Sequence, residues 1–196
     1  MSASAVRLVV VGGSWGGFDA VCALLEGLPD PLPVPLVTVL HRGPRRGIPS
    51  DLAPLLARRT GRRVVEPDDK EPLVDGTVYV APEDYHLLVD CDGLALSTDE
   101  AVHHCRPAVD VTLQTAADRY RAELVGIVLT GANVDGAAGV RHVRERGGHT
   151  MAQDPATAVK PDMPAAAVAT GAVQDVADLD GLARRLTTLL ANGRVS

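Results

Sequence analysis

Residues 12–16 read Gly-Gly-Ser-Trp-Gly and fit the pattern Gly-x-Ser-x-Gly. A short apolar run ending at Val11 precedes them, and Phe18, Val21, Leu24, Leu25 and Leu28 follow at helical spacing. That context predicts a strand turning sharply into a helix, which lifts the Ser14 hydroxyl outward. The unpaired N–H groups of the helix start, the Trp15 N–H first among them, then face any negative charge developing on an attacked carbonyl. A serine needs a base. Of the six histidines (His41, His86, His103, His104, His142 and His149), only His41 directly follows a strand, residues 36–40, expected beside the first. An acid must orient the imidazole, and Asp135 and Asp154 both lie past the ends of predicted strands. Gly131, Gly136 and Gly139 allow close approach around Asp135, which is therefore preferred. Each residue also has a plainer use. The Gly12–Gly17 turn suits a phosphate or dinucleotide, His41 a hydrogen-bonded loop, and Asp135 the N-cap of a helix starting near Ala137. Against the nucleotide reading, Ser14 occupies the third position of Gly-x-Gly-x-x-Gly and no Lys-Ser pair follows Gly17.

The elements that must position these groups read as α/β. A β-α-β unit spans residues 7–40 and is expected to be parallel and right-handed, so Ser14 and His41 share one sheet edge. Ser50 to Thr60 reads as a helix with Ser50 as N-cap. Runs at 63–66, 77–81, 85–89 and 94–97, separated by turn residues, suggest an antiparallel insertion or edge. Pro107 to Tyr120 returns to helix, Leu124 to Leu129 is a third strand, and a helix follows to about Arg146. His149 to Gln153 (strand), Ala165 to Thr170 (helix) and Leu179 to Ala191 (helix, capped by Asn192-Gly193) complete the chain. The expected fold is a mostly parallel doubly wound sheet flanked by helices, with a short antiparallel portion around residues 77–97, as one domain over 1–196.

Composition agrees with that class. Hydrophobic residues at 46% with only 3% aromatics fill a core with Val, Leu, Ile and Ala, as buried parallel strands require. The 25 acidic against 19 basic residues, net charge -6, argue against bulk attraction to nucleic acid or anionic membrane. No run reaches the length of a membrane span. Cys22, Cys91 and Cys105 lack zinc or disulfide spacing, so a reducing cytoplasm is the expected setting and no metal is expected. Arg42, Arg45, Arg46, Arg58, Arg59, Arg62 and Arg63 oppose the global sign. They suggest either a basic rim beside His41 for an acidic protein surface or a solvated face.

With these residues placed, the sequence resembles the catalytic domain of the chemotaxis protein-glutamate methylesterases. The match runs through residues 11–17, Val39-Leu40-His41, Val78-Tyr79-Val80-Ala81-Pro82, Tyr85-His86-Leu87, Arg106-Pro107-Ala108-Val109-Asp110, Leu129-Thr130-Gly131, residues 135–139 and Ala152-Gln153-Asp154. The resemblance implies a mostly parallel α/β sheet with Ser14, His41 and Asp135 as the catalytic set and no cofactor. It also implies hydrolysis of glutamate γ-methyl esters, often with deamidation of glutamine, on chemoreceptors or another acidic signalling protein. Trp15 and a second N–H from the Ala132-Asn133 loop would hold the oxyanion, and Arg42, Arg106 and Asn133 are candidate substrate contacts. Relatives in two-component chemotaxis carry an N-terminal receiver domain; with nothing before Val6 to house one, a stand-alone form is expected. The loop Gly131-Ala132-Asn133 replaces the usual Gly-Met-Gly, and Trp15 stands where the family has a small residue. Both changes reshape the substrate groove. A phosphate-binding module and a catalytically silent signalling adaptor are the other readings.

Overall fold

A computed structural model describes residues 5–42 and 51–192 of the chain. Its centre is β1 (Leu8–Gly13), whose six residues are all buried. A strand covered on both faces has no solvent side, which is why Leu8 to Val11 shows no polar alternation. On one flank β1 pairs in parallel with β2 (Leu36–Leu40), and on the other with β7 (Leu124–Val128). Adding β3 (Arg63–Val65), β4 (Thr77–Val80), β8 (His149–Gln153) and β9 (Asp175–Ala177) gives a seven-stranded sheet in the order β3-β4-β2-β1-β7-β8-β9. Every pairing in it is parallel. The strand order reverses direction at β1, and ligand sites of such sheets lie in the crevice at that point, beyond the carboxyl ends.

Side chains of β1 alternate between two cores. Val9 and Val11 join Val21, Leu24 and Leu25 of α1 (Gly17–Glu26), Leu56 of α2 (Leu52–Thr60), and Leu182 and Leu186 of α6 (Leu179–Asn192). Leu8 and Val10 face the other side. There they meet Val109 and Leu113 of α3 (Val109–Tyr120), Val140 and Val143 of α4 (Ala137–Glu145), and Met163 and Ala167 of α5 (Asp162–Ala169). The expected doubly wound sheet is therefore present, with helices on both faces.

Four elements differ from the sequence expectation. The antiparallel portion is confined to the separate hairpin of β5 (His86–Asp90) and β6 (Gly93–Ser97). β3 and β4 instead join the main sheet in parallel, because residues 66–76, with their turn-like Pro-Asp-Asp, return the chain to the starting edge instead of closing a hairpin. β9 has no periodic signal: it is a three-residue edge strand with Val176 exposed. α5 begins at Asp162, ahead of the expected start, since Pro164 falls in the first turn, where a missing N–H costs little. The proposed Ser50 cap and Gly193 lie outside the described residues.

The carboxyl end of β1 lies directly beneath the start of α3. A β-carbon at Gly12 would stand 2.7 Å from Val109 Cγ2 and closer still to Cγ1. Val109 is β-branched and fully buried, so it cannot swing clear. Gly12→Ala is therefore expected to lower unfolding free energy by about 1–3 kcal/mol. Urea denaturation of the two proteins checks this, and equal midpoints would show that α3 can lift without cost.

Candidate active site

Register brings the first two groups together. Gly13 of β1 is the partner of Leu40 of β2, and the His41 N–H donates to the Gly13 carbonyl at 3.1 Å. The next residues on each strand, Ser14 and His41, thus leave the sheet side by side, about 4.8 Å apart along the backbone as neighbouring strands are. From the other flank, the Leu129 N–H donates to Gly12 O and the Ser14 N–H to Thr130 O, at 2.8 and 2.9 Å. The loop after β7 is fastened to the same edge.

Asp135 comes from that loop and has no exposed surface. Its Oδ2 lies 2.6 Å from His41 Nε2, and because a carboxylate only accepts, Nε2 carries the hydrogen. The same oxygen accepts the Val109 N–H at 2.7 Å, and Oδ1 accepts the Asp110 N–H at 2.8 Å. Asp135 thus caps α3, not the α4 it immediately precedes; the N-cap of α4 is Gly136. Burial would lift the Asp135 pKa. The hydrogen bonds from His41, Asp110 and Val109 outweigh it and hold the carboxyl below its ordinary range. For His41 burial acts downward, but the hydrogen bond and charge of Asp135, with a smaller share from the Cys105 thiol, raise its pKa to about 9.

The other imidazole nitrogen, Nδ1, is an acceptor in this tautomer. Asn133 Nδ2 approaches it at 3.5 Å and also donates to Cys105 Sγ at 3.4 Å, while Asn133 Oδ1 accepts the Asp135 N–H at 3.0 Å. Among the described residues the Ser14 hydroxyl has no hydrogen-bond partner. The same holds for the peptide N–H groups of Trp15 and Ala132, which leaves two donors beside Ser14 open to a ligand. The Trp15 carbonyl is held by the Thr130 hydroxyl at 2.9 Å, while its ring is 66% exposed. Val159 is exposed beside it, resting against Gly16.

The profile of the CheB methylesterase family matches residues 9–186. The chain belongs to this family. The crystal structure of the Thermotoga maritima CheB methylesterase catalytic domain resembles it with a TM-score of 0.88 at 32% identity, covering 94% of this chain and 98% of that one. A Leptospira interrogans relative is 37% identical over 185 residues, which make up 94% of this chain and 95% of the relative. The protein-glutamate methylesterase/protein-glutamine glutaminase of Nocardioides sp. is 40% identical over 194 residues, and the protein-glutamate methylesterase FrzG of Myxococcus xanthus 37% over 180. Those alignments take in 97% and 91% of this chain but only 52% and 53% of the two relatives, so the chain spans about half their length.

Other expected residues of this CheB-family chain stand elsewhere. Asp154 follows β8, two strands beyond β1 and three from β2, or about 14 Å from His41 at ordinary strand spacing. Its carboxylate caps the turn at Ala156. Arg42 is turned to the Ala81 carbonyl and Glu66, and Arg106 clasps Asp84 and the carbonyls of Thr98 and Asp99. Both guanidiniums serve the fold. The basic rim is also displaced: α2 carries the chain about 13 Å away from the carboxyl edge, so Arg58, Arg59 and Arg63 sit at the opposite edge. Arg59 there pairs with Glu26, and Arg62 is buried, donating to the carbonyls of Leu25, Leu28 and Pro29 at the end of α1. Arg45 and Arg46 lie outside the described residues. Sequence reasoning missed Asp110, whose carboxylate is buried at α4, and Cys105 at the imidazole.

The His41–Asp135 pair couples stability to pH. The folded His41 pKa of about 9 exceeds its ordinary 6.5, so its contribution is whole below about 6.5 and is lost as pH rises through 9. Asp135, depressed in the fold, contributes above its ordinary carboxyl range and loses this as pH falls through its folded value. The stability gap between the protein and a His41→Gln variant should accordingly be widest near pH 6 and shrink by pH 10. Denaturant titrations at both values test this; a gap that widens with pH would reverse the sign.

Proposed function

We propose that this chain is a serine esterase that hydrolyses glutamate γ-methyl esters, with Ser14 as nucleophile, His41 as general base and then acid, and Asp135 as the group that orients and stabilises the imidazolium. One observation carries the reading: Ser14 and His41 each directly follow the last register pair of two neighbouring strands, Gly13 and Leu40, and His41 is hydrogen-bonded to a fully buried carboxylate. The names of the Nocardioides and Myxococcus relatives support the choice of ester.

In this mechanism Nδ1 is the working nitrogen, because Asp135 holds Nε2. The 3.5 Å contact of Asn133 Nδ2 at Nδ1 is at the limit of a hydrogen bond and a weak competitor for a serine hydroxyl rotated toward it. As Nδ1 takes the hydroxyl proton, Oγ bonds to the ester carbon and the carbonyl electron pair moves onto oxygen. The Trp15 and Ala132 N–H groups are the donors assigned to that oxyanion. Its collapse breaks the bond to methoxide, which takes the proton from Nδ1 and leaves as methanol. Water, losing a proton to Nδ1, then cleaves the acyl-serine to release glutamate and restore the hydroxyl. With ammonia as leaving group, the same cycle turns glutamine into glutamate.

The partner assigned to this site is a methylated chemoreceptor or a similar acidic signalling protein. Trp15 and Val159, exposed beside the serine turn, offer its segment an apolar rim next to the polar floor.

Two measurements test the proposal. A fluorophosphonate should add mass at Ser14, and Ser14→Ala should lose both that label and methanol release from methylated receptor membranes while keeping its melting temperature. Undiminished release, or a nucleotide-dependent rise in melting temperature without labelling, would overturn it in favour of another nucleophile or a phosphate-binding turn. Because Nδ1 must be unprotonated to accept, kcat/KM for a small methyl ester should climb about tenfold per pH unit in the acid range and level off near the His41 value of about 9. A plateau already reached at pH 7 would mean that another group limits the reaction.

A further inference from the structure

Two carboxylates in this fold are exchanged between two helices. Asp135, immediately before α4, accepts the Val109 and Asp110 N–H groups that open α3. Asp110, in the first turn of α3, reaches back: its Oδ1 accepts the Gly136 N–H at 2.9 Å and the Gly139 N–H at 2.6 Å, the donors that open α4. Each helix start is thus capped by a side chain belonging to the other. Close approach of the two helices is what permits the exchange, since a β-carbon at Gly139 would stand 2.7 Å from Leu113 Cβ and 3.2 Å from Asp110 Cα.

Residue 110 grips Asp135 from both sides. Its backbone N–H binds the carboxylate, and its side chain fixes the peptide N–H of Gly136, the residue that follows Asp135. At Gly136 the chain turns with φ 98, a left-handed conformation that leaves the position of Asp135 to be set by such bonds. The remaining oxygen of Asp110, Oδ2, lies 3.3 Å from His103 Nε2, whose imidazole reaches solvent.

We infer that Asp110 is the positioning residue of the catalytic set: by capping α4 it holds Asp135 at the distance and angle that keep His41 in its working orientation. The inference rests on the Ser14–His41–Asp135 reading given above for its catalytic consequence, but not for its geometry.

A purely structural cap would cost stability alone. A positioning residue must also change the imidazole and the chemical step, because a misplacement of about 1 Å can cost on the order of 10²-fold in rate. Three variants of the full chain separate the two. Asp110→Asn keeps an oxygen where Oδ1 stands, so kcat for a small methyl ester should stay within about tenfold of the parent. Asp110→Glu keeps the charge but moves the acceptor by a methylene, and Asp110→Ala removes it. Both should lose about 10²-fold in kcat with KM nearly unchanged. The His41 imidazole titration, followed by NMR, should fall clearly from about 9 in the Glu and Ala variants and much less in the Asn variant.

If Asp110→Ala does not fold, the ordering of Asn above Glu still decides. Glu restoring rate where Asn does not, or an unmoved His41 titration in folded Glu or Ala variants, would overturn the inference. The titration needs no turnover. Failure of the esterase reading would therefore appear as an inactive, unlabelled parent protein, while the inference would fail through an unchanged imidazole.

Discussion

A carboxylate with no solvent contact must find hydrogen-bond donors or lose its charge, since leaving a buried anion unpaired costs several kcal/mol. Asp135 finds three: the His41 ring and the first two peptide N–H groups of α3. Much of the site follows from that requirement. The start of α3 has to lie over the end of β1, and the loop after β7 has to fold toward β2. The imidazole has to carry its hydrogen on Nε2, which leaves Nδ1 as the nitrogen with a free electron pair. The positive end of the α3 dipole adds to the same effect, keeping the carboxylate ionised where burial alone would protonate it.

The two acids in this region are held apart in strength by the same geometry. Asp110 is buried and lies in the field of Asp135, both of which raise its pKa, while the Gly139 and Gly136 N–H groups and His103 draw it down. Burial and repulsion prevail there; at Asp135 the donors prevail. Two neighbouring carboxylates of equal affinity for protons would share charge between them. The extra bond from an imidazole breaks that balance and directs the negative charge to the carboxylate that touches His41.

Much of this was legible in the sequence because the relevant relation is local. A strand, a glycine turn and a helix followed by a second apolar strand specify a right-handed parallel unit, and such a unit puts Ser14 and His41 on one edge. Choosing Asp135 over Asp154 required only the glycines around it, although sheet order supplies the stronger reason: β7 is next to β1 and β8 is not. Asp110 was hidden because nothing in residue type distinguishes a buried side-chain-to-backbone cap from an exposed acid early in a helix. The arginine run leaves rim and solvated face open for a related reason. Closeness in sequence to His41 is not closeness in space, because a crossover helix carries the chain from one edge of a parallel sheet to the other. β3 and β4 were misread because two short strands separated by turn residues look the same whether the connection closes a hairpin or crosses back.

Displacement of the arginines changes the character of the site's entrance. Arg42, the residue after His41, is folded onto Glu66 and the Ala81 carbonyl, and Arg106 onto Asp84 and two further carbonyls. Beside the Ser14 turn the described residues instead place the exposed ring of Trp15 and the exposed Val159, which rests against Gly16. An apolar rim above a charged, hydrogen-bonded floor has a definite electrostatic effect. A segment seated on the rim removes water from above His41 and Asp135, and a pair whose ring side chain is only 9% exposed is then shielded further. Lower dielectric strengthens the attraction between the carboxylate and the imidazolium that the proposed proton transfer from serine would form. Under the proposed mechanism, binding through apolar contact would thereby assist the charge separation that proton transfer requires, whereas an ion pair from an arginine would bring its own hydration to the same place.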